Sequence, residues 1–180
     1  MSTPKLVWID LEMTGLGDNH VILEIASLVT DHHLEILSEG PNLAIKRPIS
    51  QINAIPIEAW SKNQHTSSGL LDRVEKSETN IIEAETMTLN FLNNWTEKKI
   101  SPLCGNSIWV DRKFLRKEMP RLESFLHYRM IDVSTIKELM KRWYPDIDLP
   151  RKSKTHLALD DIRESVSELK WYRDNIFKES

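Results

Sequence analysis

The apolar run Leu6-Val7-Trp8-Ile9, continued through Asp10-Leu11-Glu12-Met13, predicts a buried strand early in the chain. A turn follows at Thr14-Gly15-Leu16-Gly17-Asp18. Val21 to Thr30 is a second apolar run carrying Ile22, Ile25, Leu28 and Val29. Asp31-His32-His33 turns the chain into Leu34 to Leu37, and Pro41 to Ile45 reads as a further short strand. Consecutive strands joined by short turns imply an antiparallel meander.

The period then changes. Ile81, Ala84, Thr88, Phe91, Leu92 and Trp95 recur at helical spacing, with Thr79 or Asn80 as N-cap. Ser101 to Gly105 predicts a short strand, Asp111 to Met119 a helix stopped or redirected by Pro120, and Tyr128 to Val133 another strand. Ile136, Leu139, Met140 and Trp143 mark an amphipathic helix closed by Pro145; Ile162, Val166, Leu169 and Ile176 set the inner face of a last one. The order β-β-β then α-β-α-β-α-α predicts an α/β fold. Its mixed sheet, a meander plus αβ units, is flanked by helices. Functional side chains are expected at strand ends and at the helix termini facing them.

At 180 residues and 40% hydrophobic, the chain suits one domain over 1–180, with no linker-like tract. The single cysteine, Cys104, cannot form an internal disulfide and fits a reducing compartment. No signal-peptide pattern or membrane-length apolar run is present, so a cytoplasmic location is expected. A net charge of −3 argues against tight, sequence-independent binding to a long polyanion. The clusters Arg112, Lys113, Arg116, Lys117 and Arg151, Lys152, Lys154 read as solvated surface.

Asp10 and Glu12 break the first strand's apolar pattern. Strand residues two apart share a face at about 6.5–7 Å. A buried carboxylate is strongly unfavourable unless compensated, and no Lys or Arg adjoins this pair. A divalent cation is the simplest compensation; a strand-end pair facing water is the alternative. Of the other acid-x-acid pairs, Glu83 and Glu85 fall in a helical pattern and read as a solvated face, and Asp146 and Asp148 fall in a loop between prolines.

A two-metal site needs further acids at element ends. Asp111, after Gly105-Asn106-Ser107, is one candidate, and Asp160 and Asp161 at the start of the last helix are others. Each could equally serve only the helix dipole. His156 precedes Asp161 by five residues. On one helix such a pair diverges by about 140°, so His156 can share a site with Asp161 only from a loop. Pro150 to Thr155 is polar enough to be that loop, and imidazole titrates where a general base should.

Trp8-Ile9-Asp10-Leu11-Glu12-Met13-Thr14-Gly15-Leu16 resembles the first motif of the DEDD exonuclease superfamily, of ribonuclease H-like fold. Asp111 falls where the second motif's aspartate belongs. His156 and Asp161 match the third motif of the histidine-containing (DEDDh) branch. More narrowly, the chain is similar to the oligoribonuclease family. Carrying segments are Glu39-Gly40-Pro41, His65-Thr66-Ser67-Ser68-Gly69-Leu70, Cys104-Gly105-Asn106-Ser107-Ile108, Tyr128-Arg129, Asp132-Val133-Ser134-Thr135 and Asp160-Asp161-Ile162-Arg163-Glu164-Ser165.

The resemblance implies a 3′→5′ exoribonuclease that degrades short oligoribonucleotides, ending with dinucleotides, to nucleoside 5′-monophosphates. It implies that Asp10, Glu12, Asp111 and Asp161 hold two Mg²⁺ or Mn²⁺ ions and that His156 takes the proton from the attacking water. It further implies Leu16 as a wedge between bases, Trp60 as a stacking aromatic, and His65, Ser107, Arg129 and Ser134 as pocket lining. Arg129 and Ser134 would cap the 5′-phosphate of substrates two to five nucleotides long. Tyr128 would reach the site from the partner subunit of a homodimer. Trp109-Val110, where the family usually carries Gly-Gln, predicts an altered pocket beside Asp111. The alternative is a related DEDDh exonuclease acting on longer RNA or DNA 3′ ends.

Overall fold

The computed structural model describes residues 3–48, 57–150 and 157–177. Three strands, β1 (Leu6–Met13), β2 (Ile22–Thr30) and β3 (Ile36–Ala44), precede three helices, α1 (Ala59–Ser67), α2 (Leu70–Lys76) and α3 (Ile81–Asn93). Then come β4 (Leu103–Gly105), α4 (Ile108–Glu118), α5 (Pro120–Phe125), β5 (Met130–Asp132), α6 (Val133–Trp143) and α7 (Ala158–Asn175). The sheet order is β3-β2-β1-β4-β5. The first three strands pair antiparallel, and β4 and β5 join β1 in parallel.

Because side chains alternate across a strand, β1 divides its residues between two cores. Val7, Ile9 and Leu11 pack with Ala84 and Leu92 of α3, Phe114 and Leu115 of α4 and Leu122 of α5. Trp8 packs on the other face with Met140 of α6 and Ile162, Val166 and Tyr172 of α7, and its indole N–H donates to Thr30 Oγ1 at 3.1 Å. Cys104 is buried on that second face, and burial pushes its thiol well up, leaving it without nucleophilic character.

Three expectations are corrected by packing. The two short pieces around Glu39-Gly40-Pro41 are one strand, with a bulge between its pairings Leu28↔Glu39 and Ala26↔Asn42. Pro41 is tolerated because β3 lies at the sheet edge. Gly40 is required because a Cβ there would sit 2.5 Å from the Phe91 ring and Ser27 Oγ. Helices α1 and α2 lie where sequence periodicity predicts nothing: the buried positions of α1 are Ser61 and His65, both polar. Glu85 is buried rather than solvated. One of its oxygens accepts from the N–H groups of Arg121 (2.7 Å) and Leu122 (3.0 Å), capping α5 from a distant helix, while Arg121 Nε donates to the other.

Candidate metal centre and substrate pocket

Alternation along β1 sends Asp10 and Glu12 to the face that α7 covers. Asp161, in the first turn of α7, meets them there. One carboxylate oxygen from each of the three lies within 4.8 Å of the others. Burial pushes Glu12 up to about 8, and the charges of Asp161, Glu24 and Asp111 push the same way against Arg73. An all-oxygen donor set crowded enough to repel its own charge fits a hard divalent cation.

Asp111 reaches this end of the sheet from the opposite face. The pairing of β4 with β1 stops at Trp8↔Cys104, and Asp111 Oδ1 accepts from the Leu11 N–H at 3.0 Å. Burial raises its carboxyl to about 7 in spite of that bond. Asp111 is therefore held at the strand that carries Asp10 and Glu12, close enough to act on the charge of Glu12. Asp160 is directed elsewhere, to Arg163 at 2.7 Å, which in turn holds Glu39. His156 lies outside the described residues.

His65 is buried on α1. Its Nε2 donates to the Met13 carbonyl at 2.8 Å, which turns Nδ1 toward Glu12 Oε2 at 3.6 Å. Across the sheet, Glu24 faces Glu12 in register and pairs with Arg73 at 2.7 Å. Glu12 is thus held between a histidine and a second, paired carboxylate.

Leu16 and Trp60 are large apolar side chains left 59% and 66% exposed beside this centre, and Glu58 ties the segments that carry them. Its backbone N–H donates to the Thr14 carbonyl at 2.9 Å and its Oε1 accepts from the Leu16 N–H at 3.3 Å. Thr14 Oγ1 accepts from the Val21 N–H and is hydrogen-bonded to His20 Nδ1 at 3.0 Å; His20 Nε2 faces Glu58 Oε1 at 3.3 Å. From the other side, Lys113 of α4 donates to the Leu16 carbonyl and Asp18, and Lys117 donates to the carbonyls of Asp18 and His20. Two members of the expected solvated basic cluster are therefore loop clamps. A third, Arg112, is buried and donates to Glu123 and the carbonyls of His127 and Tyr128.

Ser107 has a left-handed backbone, φ 52°, and its N–H is shared between Asp132 Oδ1 (2.9 Å) and Ser134 Oγ (3.0 Å). Asp132 also caps α6 through the Ser134 N–H. Ser107 and Ser134 therefore form one cluster at the β4 and β5 ends. Tyr128 is 72% exposed; its hydroxyl accepts from Arg129 Nε at 3.1 Å. Trp109, in the first turn of α4, is 58% exposed. The residues that sequence reasoning passes over are Glu58, His20, Glu24 and Arg73, while Lys113 and Lys117 are reached only as solvated surface. The spacing of Gly15 and Gly17 around Leu16 is the one local signal, because it marks a loop approached closely by neighbours.

A five-stranded mixed sheet with acids at the end of its first strand and the start of its last helix is the architecture of a ribonuclease H-like exonuclease. Solved structures agree at the level of the fold. E. coli exonuclease I in complex with a 5cy-dT13 oligonucleotide matches with a TM-score of 0.70 at 14% identity, covering 97% of this chain and 41% of that one. Exonuclease I from Methylocaldum szegediense matches at 0.70 and 16%, again covering 41% of its own chain, so this chain spans under half the length of both. The profile of the exonuclease family RNase_T matches residues 7–169. Among sequence relatives, the oligoribonuclease of Vibrio campbellii is 53% identical over 179 residues, covering 98% of each chain. That of Acinetobacter baylyi is 51% identical over 175 residues, covering 96% of this chain and 94% of its own. The chain belongs to the RNase_T exonuclease family and, within it, to the oligoribonucleases.

Proposed function

We propose that this protein, acting as one domain in the cytoplasm, removes nucleoside 5′-monophosphates from the 3′ ends of oligoribonucleotides two to five residues long. The observation that carries the reading is the convergence of Asp10, Glu12 and Asp161, in a chain that aligns over nearly its whole length with oligoribonucleases. Asp10, Glu12, Asp111 and Asp161 would hold two Mg²⁺ or Mn²⁺ ions, which when bound supply water activation and stabilisation of the leaving 3′-oxygen. The hydrogen bond between Asp111 and Leu11 keeps the fourth acid at the strand that carries the first two. His65 orients Glu12, and His156 serves as general base.

Leu16 and Trp60 receive the bases, with stacking worth about 1–3 kcal/mol per base irrespective of identity. Their exposure beside the acids and their common tether to Glu58 support that role. Arg129 and Ser134 receive the 5′-phosphate with Ser107 lining the pocket beside them, and Tyr128 completes the pocket of a partner subunit in a homodimer. No helix among the described residues is long and apolar enough to cross a membrane.

The test is hydrolysis of a radiolabelled diribonucleotide with and without EDTA, by the wild type and by Asp10→Ala. Metal-dependent release of mononucleotides by the wild type alone is expected. Equal turnover by Asp10→Ala, or faster turnover of twenty-mers than of dimers, would overturn the reading.

A further inference from the structure

Asn106 joins the two ends of the proposed site. Its Oδ1 accepts from Ser134 Oγ at 3.0 Å, the hydroxyl that also receives the Ser107 N–H. Its Nδ2 donates to Ser165 Oγ at 2.8 Å and to Glu168 Oε2 at 3.3 Å. Ser165 in turn donates to the main-chain carbonyl of Asp161 at 2.8 Å. One amide therefore touches both the hydroxyl cluster and a side chain hooked onto the backbone of an acid of the metal centre. Glu168 can only accept, which fixes the orientation of the amide.

Beneath Asn106 the network centres on a buried carboxylate whose two oxygens both have partners. Glu168 is 2% exposed, and its Oε1 meets Lys137 Nζ at 2.7 Å and the Tyr172 hydroxyl at 2.8 Å. Lys137 lies three residues after Ser134, on the same side of α6. A single carboxylate thus ties α6, which carries Ser134, to α7, which carries Asp161, with the end of β4 clamped between them. The left-handed Ser107, a conformation unfavourable to a non-glycine residue, persists because this cluster over-determines it.

We infer that Asn106, Glu168 and Lys137 are positioning residues that hold the hydroxyls of Ser107 and Ser134 at a fixed offset from the acid centre, and so make the site a ruler for a terminal 5′-phosphomonoester. The inference rests on the reading of Ser134 as part of the phosphate cap, with Ser107 bonded beside it. The terminal phosphate is the one group of a dimer that the cap would hold, so a displaced cap harms the phosphorylated dimer more than the same dimer lacking it.

The experiment compares steady-state kinetics of the wild type, Asn106→Ala, Glu168→Gln and Ser134→Ala on a 5′-phosphorylated diribonucleotide and on the same dimer lacking the phosphate. For Asn106→Ala and Glu168→Gln, kcat/KM on the phosphorylated dimer is expected to fall about tenfold, chiefly through KM, with at most about a twofold change on the other dimer. An equal loss on both dimers, or no loss, overturns the inference, because a merely structural defect would not distinguish them. Glu168→Gln is nearly isosteric and carries the test should Asn106→Ala not fold. If Ser134→Ala is itself indifferent to the phosphate, the cap assignment falls and the ruler with it; if Ser134→Ala responds and the other two do not, the ruler falls alone.

Discussion

The Leu11 N–H donates to Asp111 Oδ1 at 3.0 Å, which fastens an acid from one face of the sheet to the strand whose other acids emerge on the opposite face. The bond uses a strand donor left over where the pairing with β4 ends. It places a carboxylate by backbone geometry rather than by side-chain packing.

Asp111→Asn keeps an acceptor for that N–H while removing the charge. Activity should fall at least about a hundredfold, since a metal centre loses an anionic ligand. The metal-free variant should melt no lower than the wild type at neutral pH, because a buried carboxylate has gone. Retained activity would refute a role for Asp111 as ligand. A collapsed melting curve would show that charge, not the acceptor, holds the strand.

The stability of the metal-free protein should decline with rising pH. Glu12 in the folded chain is raised from 4.5 to about 8. Between those values the unfolded chain ionises while the folded one retains its proton, so the unfolded state gains. Below 4.5 both states are protonated, the stabilisation is fully present and the pH dependence disappears; above about 8 the loss is complete. Thermal melts in EDTA should show the slope, and Mg²⁺ should raise Tm more at alkaline than at acid pH because the ligands must shed protons. A Mg²⁺ effect independent of pH would contradict this.

Glu58→Ala releases the Leu16 loop from one of its two clamps. KM for dinucleotides should rise by about three- to tenfold with kcat changed less, as expected when base positioning rather than chemistry is lost. Gly15→Ala should act in the same direction, since its Cβ would fall 2.6 Å from Glu58 and His20 atoms. Unchanged KM in both variants would remove the loop from substrate binding.

Glu85→Ala should destabilise the fold by about 2–3 kcal/mol, because two N–H groups at the start of α5 and the Arg121 guanidinium lose their acceptor together. Asp10, Glu12 and Asp161 sit on the other face of the sheet and Glu85 touches none of the four acids, so kcat measured well below the melting temperature should stay at the wild-type value. Chemical denaturation and steady-state kinetics on the same preparation separate the two effects.

His156→Ala should lower kcat by about a hundred- to ten-thousandfold while leaving the melting temperature unchanged, as removal of a general base does. Turnover at the wild-type rate would assign proton removal to another group.

Where a local period exposes a residue, sequence reasoning reached it. Asp10 and Glu12 stand out because a two-residue repeat puts both on one face of an otherwise apolar strand. The amphipathic spacing of Ile162, Val166 and Leu169 likewise marks α7, and hence where Asp161 begins it. Where the buried residues are themselves polar, the pattern is silent. Helix α1 hides Ser61 and His65, so its inner face carries no apolar signature. Glu85 and Arg112 look like surface charge, yet distant main-chain groups hold them in the interior.

The order of residue types along the chain was enough to specify strands, most helices, and a set of acids suited to a hard cation. Those properties depend on neighbours a few residues apart. Convergence did not follow from them. That Asp161 meets Asp10 and Glu12, that Asp111 takes a backbone bond instead, and that Asn106 links Ser134 to Ser165 all depend on which strands pair in parallel and how α7 crosses the sheet. Such contacts join segments far apart in the chain. Their geometry is set by the packing of two cores against one sheet, which no local period encodes.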